Sequence, residues 1–300
     1  MALAALSGDE QLVIFCQLCN VLDPGFAVAF SSASNELREL TQAPRQQLQA
    51  DHEAAGALGR KAGKRSCKEL REAKRISFTH SPHLSSDDLS LLGTLGSVLP
   101  ALEHFELIDP GVPGAAGPDG VQRLAEKLGA GALPAVTTFI IYDLHVGDAG
   151  ASALVAALGR GALPRLTSLD LTNPGCGNAG LMALVPALRR RPALEHLFLQ
   201  DKTLGDEFLA ALLAPPPPAG APPAGAPQPT TAVLPNLMEL DLSDNTEITD
   251  AGCATLRSAL DSGALPKLEF LDLVDTRASA AAKNTLRRDG LTVYPLYEHL

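Results

Sequence analysis

The sequence predicts an α/β fold: a right-handed solenoid with parallel strands on its concave face and helices on its convex face, preceded by a small all-α N-terminal region. Three observations carry that expectation. A short apolar core of the form L-x-x-L-x-L recurs along most of the chain. Each copy is followed by an acidic or Asn residue, often with Gly two places on, and then by an Ala/Leu run with apolar residues at helical spacing. The composition suits many thin aliphatic layers, because 46% of the 300 residues are hydrophobic while only 4% are aromatic and none is Trp. A conventional core would hold more aromatics.

Six copies of the core are legible: Leu102/Phe105/Leu107, Val136/Phe139/Ile141, Leu166/Leu169/Leu171, Leu194/Leu197/Leu199, Leu237/Leu240/Leu242 and Leu268/Leu271/Leu273. A poorer copy, Ala73/Ile76/Phe78, precedes them. Their first positions are spaced by 34, 30, 28, 43 and 31 residues. The helices are expected to open at Asp148-Ala-Gly150, Asn178-Ala-Gly180 and Asp250-Ala-Gly252, where the acid or amide would accept bonds from the free N–H groups of its own first turn. One such unit cannot bury its apolar side alone, but a stack of them can. Ser279 to Arg288 reads as a last short helix with Gly290 as its C-cap, and Leu291 to Leu300 as a closing half-repeat. The 43-residue spacing encloses a Pro/Gly/Ala-rich insertion over 214–230, which favours polyproline II and reads as a surface loop. Its other reading, a docking sequence for a proline-recognising domain, lacks the flanking charges such domains favour.

The motifs LTSLDLTN (166–173) and LMELDLSDN (237–245), each followed by a helix opened by NAG or DAG, resemble leucine-rich repeats of the ribonuclease-inhibitor class. The resemblance covers residues 73–300 and implies a solenoid that binds protein. Of the six ninth repeat positions only Asn245 carries the family's Asn or Cys, so irregular turns are expected after the strands.

In the first forty residues, Leu12, Phe15, Cys16, Cys19 and Leu22 fall at spacings of three and four, which predicts a helix ended by Asp23-Pro24. Phe26 to Phe30 and Asn35 to Leu40 read as two more. The segment DEQLVIFCQLCNVLDPGFAVAFSSASNELRELT (9–41) resembles an F-box. That resemblance implies that Leu12, Ile14, Phe15, Leu22 and Pro24 sit near the surface that binds the Skp adaptor of a cullin-RING ubiquitin ligase. Gly8-Asp9-Glu10 stands where the F-box opens with Leu-Pro, and Gly25-Phe26 replaces its usual polar pair, so an alternative role as a cap on the repeat stack stays open. The expected organisation is an F-box-like helical cap over 1–42, a basic helical linker over 43–72 and the repeat array over 73–300.

The net charge of −10 is unevenly placed: residues 1–75 hold 10 Lys/Arg against 9 Asp/Glu, and residues 76–300 hold 14 against 25. Phosphate repulsion therefore disfavours a nucleic-acid partner for the array and favours a basic protein. The basic run Arg60, Lys61, Lys64, Arg65, Lys68, Arg71, Lys74 and Arg75 reads as a solvated linking helix, with nuclear import or an anionic surface as its other readings. GRKAGKRS (59–66) misses a phosphate loop, because its glycines are too close and Arg65 stands where a hydroxyl residue is needed. No span of membrane length and no secretory leader is read, and five scattered cysteines, Cys16, Cys19, Cys67, Cys176 and Cys253, suit a reducing cytoplasmic or nuclear setting.

Histidines offer little metal chemistry. His104 and His196 share a strand position but lie three strands apart, about 14 Å at ~4.8 Å per strand, and His80-x-x-His83 encloses Pro82. The chain is therefore expected to be a monomeric binding protein, neither an enzyme nor the holder of a cofactor. Its expected partner-binding residues are the outward strand positions Glu106, Asp170, Phe198, Asp241 and Asp272, with Tyr142 and His196 beside them. The eighth-position column of Asp109, Asp143, Asn173, Asp201, Asp244 and Asp275 is expected to hold turn N–H groups through Asx-turns. A substrate-recruiting ubiquitin-ligase subunit, a cytoskeletal or ciliary scaffold, and a small-GTPase regulator of the kind that uses the same repeats are the functions in contention.

Overall fold

A computed structural model describes residues 6–79, 84–108, 118–144, 146–200, 203–215 and 232–295. Residues 216–230 of the insertion and the His80/His83 pair lie outside the described residues.

Five helices come first: α1 (Gly8–Leu18), α2 (Gly25–Ser31), α3 (Asn35–Leu40), α4 (Gln42–Lys61) and α5 (Cys67–Arg71). Ser7 opens α1 with a capping box, its hydroxyl accepting from the Glu10 N–H while the Glu10 carboxylate accepts from the Ser7 N–H. Strands and helices then alternate: β1 (Arg75–Ser77), α6 (Ser86–Leu95), β2 (His104–Ile108), α7 (Pro118–Lys127), β3 (Thr138–Tyr142) and α8 (Gly147–Gly159). The order continues with β4 (Ser168–Thr172), α9 (Asn178–Arg189), β5 (His196–Phe198), α10 (Asp206–Leu213) and β6 (Glu239–Asp241). It closes with α11 (Asp250–Asp261), β7 (Phe270–Asp272), α12 (Ala280–Asn284) and β8 (Thr292–Tyr294).

The strands pair in parallel, each with the next in sequence, to give one open sheet ordered β1 to β8. The irregular copy at Ala73/Ile76/Phe78 supplies β1, and the closing half-repeat supplies β8. All eighteen anchors of the six core copies are buried, none more than 3% exposed. Each fully buried aliphatic side chain contributes about 1.5–3 kcal/mol, realised only when a neighbouring repeat covers it. Phe105 and Phe139 stack across β2 and β3 with ring centroids 5.1 Å apart.

The helix-opening acids do something other than expected. Asp148 Oδ1 accepts from the N–H groups of Gly177 and Gly180, at the start of α9, one repeat ahead. Asp206 accepts from the Thr249 N–H and hydroxyl at the start of α11, and Asp250 from the Ser279 N–H and hydroxyl before α12. Each carboxylate lies inside its own first turn, where stacking brings the next helix's free N–H groups within reach, so the caps run between repeats.

Two further expectations are corrected. The basic segment 58–75 is not one helix: α4 ends at Lys61, Gly63 turns the chain in a left-handed conformation (φ 72°), and α5 and β1 follow. Gly290 is not a helix C-cap either, because α12 closes at Thr285 and Gly290 (φ 80°) instead turns the chain into β8.

Leu22, Ala55, Leu58, Cys67 and Leu70 pack into the same apolar core as the repeats, while Phe15, Ala27 and Leu48 form a small separate cluster. The last N-terminal helices thus cover the first layer of the array. No described helix is long and apolar enough to cross a membrane.

Candidate functional site

In-register parallel pairing aligns the outward strand positions into columns. One column runs Arg75, His104, Thr138, Ser168, His196, Glu239, Phe270 and Thr292. The next runs Ser77, Glu106, Ile140, Asp170, Phe198, Asp241, Asp272 and Tyr294. The structure therefore brings Glu106, Asp170, Phe198, Asp241 and Asp272 into a single stripe. His196 lies in the column beside it, and Tyr142 two residues further along β3, opposite Ile108 and Thr172.

The acids of the stripe are anchored by their own strand ends. Asp170 Oδ1 accepts from the Thr172 N–H (3.0 Å) and hydroxyl (2.6 Å). Asp241 Oδ1 accepts from the Ser243 N–H (2.9 Å) and hydroxyl (2.7 Å), and Asp272 Oδ1 from the Val274 N–H (2.8 Å). These are Asx-turns, placed at the fifth repeat position and not at the eighth, where they were expected. The eighth-position residues Asp143, Asn173, Asp244 and Asp275 instead adopt positive φ of 54°, 48°, 61° and 53°. Asp and Asn are tolerated there because their short polar side chains relieve the left-handed conformation locally. Asp109 and Asp201 lie outside the described residues.

Anchoring one carboxylate oxygen leaves the other of Asp170 and of Asp272 outside the turn, whereas the second oxygen of Asp241 accepts from the Gln200 amide. No ion pair reaches Asp170, Asp241 or Asp272 among the described residues. Burial pushes the Asp170 carboxyl above the usual carboxylate range, the Thr172 hydroxyl and amide draw it back, and the Asp241 and Glu106 charges push it further up. Burial likewise raises Asp272, with Asp241 and Asp244 adding to it and the Val274 N–H and the charge of the buried Lys283 acting against it. A half-buried acid beside other acids is relieved by an incoming cation. Elsewhere on the face Arg75 pairs with Glu106 at 2.9 Å, and His196 Nδ1 lies 3.0 Å from Glu239 while its ring stacks on Phe198.

Phe270 (45% exposed), Tyr294 (41%) and Tyr142 (38%) project from the same face. Only Tyr142 was among the residues singled out from the sequence. Phe270 and Tyr294 occupy the third position of the last full repeat and the fifth of the closing half-repeat. Carrying the repeat register to the end of the chain would have found them.

At the other end, the five residues expected at an adaptor surface separate. Phe15 is fully buried in the small cluster and Leu22 is buried in the main core, while Leu12, Ile14 and Pro24 are half-buried. α1 stops at Leu18, so Leu22 lies in the following turn and folds inward. Val13, Phe26, Val28 and Leu40 are the exposed large apolar side chains of α1 to α3.

Among the described residues, no group of three or more His, Cys, Asp or Glu side chains is placed to hold a metal ion. Residues 233–256, from the turn before β6 into α11, match the family model described as Leucine Rich repeat. This stretch is similar to a leucine-rich repeat. The eight-stranded parallel sheet with a helix behind successive strands is the stack such repeats build. No curated protein matches the chain.

Among solved structures, the chain is similar to an internalin from Listeria monocytogenes (13% identity, TM-score 0.34, covering 67% of this chain and 49% of that one). It therefore spans about half the internalin's length. It is also similar to a Bacteroides fragilis protein (13% identity, TM-score 0.42, covering 90% and 86%) and to a chain of the yeast Rad7 and Elc1 complex (12% identity, TM-score 0.30, covering 88% and 98%).

Proposed function

We propose that this protein is a non-enzymatic binding protein whose concave sheet face holds a basic segment of a partner protein. The observation that carries the reading is the stripe of Asp170, Asp241 and Asp272. Three acids are fixed in position by Asx-turns, make no ion pair among the described residues, and are flanked by Phe198, exposed Phe270 and exposed Tyr294. Fixed acids take lysine or arginine head groups with little ordering cost, and aromatic faces cover the aliphatic stems. The decisive variant is Asp170→Asn/Asp241→Asn/Asp272→Asn, because an amide oxygen can keep each Asx-turn while the charge is removed. It should melt as a folded protein and lose about tenfold or more in affinity for its basic partner, or for a lysine- and arginine-rich peptide probe. Undiminished binding would overturn the assignment.

The apolar surface of α1 to α3 favours a second reading, that the N-terminal helices hold a Skp-type adaptor so that the array recruits substrates to a ubiquitin ligase. In that reading the contact falls on Val13 and Phe26, which are exposed, and not on the buried Phe15 and Leu22. Co-purification of the full chain with the adaptor, lost on Val13→Asp/Phe26→Asp, supports it. Absence of co-purification leaves the plain interaction scaffold. The free thiols of Cys16, Cys19, Cys67, Cys176 and Cys253 suit a cytoplasmic or nuclear workplace for either role.

A further inference from the structure

Beneath the N-terminal helices lies a groove of about 670 Å³, which shares Val28 with the apolar surface of α1 to α3 and Pro24 with the expected adaptor residues. It is formed where α4 passes under α2 and α3, and the bond between His52 Nδ1 and the Val21 carbonyl (2.6 Å) holds α4 against the turn that follows α1. Pro24, Val28 and Leu48 supply its apolar lining, and Leu48 is a buried member of the small N-terminal cluster, so this lining belongs to the packed part of the fold. Arg38 and Arg45 supply positive charge against the single carboxylate of Glu39. Neither arginine makes an ion pair or a side-chain hydrogen bond among the described residues. Gln42, Gln46 and Gln49 line the α4 side with further amide groups.

We propose that this groove between α2, α3 and α4 is a docking site for a short acidic, amphipathic peptide segment of a partner protein. The charge is complementary: within a chain of net charge −10, the groove carries two unpaired guanidinium groups, which bind carboxylates in a two-pronged geometry. The apolar lining requires the same occupant to present aliphatic side chains, and the volume falls in the ~300–1,000 Å³ range that takes small ligands and side-chain anchors. A nucleic acid fits poorly because no Phe, Tyr or Trp lines the groove to stack on a base. A lipid surface fits poorly because two arginines in a concavity do not make the outward basic cluster that anionic bilayers recruit. The groove has the opposite preference to the concave face, so the two sites can be told apart by the charge of what they hold.

The test is selection of random twelve-residue peptides on the full chain by display, followed by affinity measurement of the enriched peptides by fluorescence anisotropy. Peptides that carry net negative charge and apolar anchors should be enriched, and should lose about tenfold or more in affinity on Arg38→Glu/Arg45→Glu and again on Val28→Glu. They should be indifferent to Asp170→Asn/Asp241→Asn/Asp272→Asn. Melting curves recorded alongside separate lost binding from lost folding, and the exposed Val28 gives a variant that changes no arginine. Failure to enrich acidic peptides, or enriched acidic peptides indifferent to both groove variants, would overturn the proposal. So would flotation of the full chain with vesicles of anionic lipid that Arg38→Glu/Arg45→Glu abolishes.

Discussion

At the scale of single residues, the glycine of the Asp/Asn-Ala-Gly motif is explained at Gly180 and Gly252 by the carboxylate of the preceding repeat, whereas a Cβ on Gly150 would meet Val146 Cγ1. A Cβ on Gly180 would stand 2.6 Å from Asp148 Oδ1, and one on Gly252 would meet Asp206 Oδ1. Only a missing side chain lets the acid reach the helix start it caps. Gly180→Ala should therefore cost about 1–3 kcal/mol by overpacking. Asp148→Ala should cost ~0.5–2 kcal/mol as a lost cap. Because both changes act on one contact, the double variant should lose measurably less than the two costs together, as read from denaturant melts. Full additivity would show that the glycine answers to something else.

The stripe acids give a second prediction at this scale. Asp170 and Asp272 titrate above their unfolded values, so the native state holds more protons than the unfolded chain just above the ordinary carboxylate range. Stability from these two groups is present below the unfolded carboxylate pKa and is lost as pH rises through the folded pKa. Asp170→Asn/Asp272→Asn should accordingly raise the melting temperature at neutral pH, and the gain should shrink as the medium is acidified. A destabilised variant at neutral pH would mean that the charges are already compensated. Acids that cost stability when alone are what a binding face for a cation requires.

At the scale of elements, the register of the sheet decides what each repeat can do. Leu171 is buried in β4 opposite Ile141, so Leu171→Asp places a carboxylate between two aliphatic layers. The variant should lose its cooperative thermal transition, and a normal melt would contradict the register. Asn245 acts on the turns instead. Its side-chain amide donates to the carbonyls of Leu199, Leu242 and Ser243, tying the turn after β6 to the end of β5. Asn245→Ala strands those carbonyls in a buried site and should cost about 1–3 kcal/mol in denaturant unfolding. In the next turn Thr276 donates its hydroxyl to the Leu273 carbonyl, so one expected irregularity has a local substitute.

At the scale of the whole molecule, the N-terminal helices divide by the core they serve. Leu58 on α4 and Leu70 on α5 pack with Ile76 and Phe78 in the array's core, whereas Phe15 and Ala27 pack only with the small cluster around Leu48. A chain beginning at Asn20, which keeps Leu22 in the array's core and the Val21 carbonyl on His52, should remain folded and monodisperse by size-exclusion chromatography with light scattering. One beginning at Ala73 should aggregate, because an uncovered repeat layer presents unpaired strand edge and aliphatic surface together. Equal behaviour of the two truncations would show that the cover is made elsewhere.

What the sequence by itself determined is the repeat. Apolar residues two and three apart, followed by a helical Ala/Leu run, have few ways to bury their side chains, and stacking is the one that serves every copy at once. The strand anchors, the early β1 and the closing β8 were legible for that reason. The tertiary structure alone decided which groups meet between repeats. The helix-opening acids cap the next helix, the Asx-turns sit at the fifth position, and Phe15 and Leu22 turn inward while Val13 and Phe26 face out. Each of these depends on how one repeat or helix is placed beside its neighbour, and a distance across a stack is not written in the spacing along a chain. The proposed binding face is read in the same two steps: periodicity names the outward residues, and the register, the turns and burial place Asp170 and Asp272 among them as half-buried acids with no ion pair among the described residues.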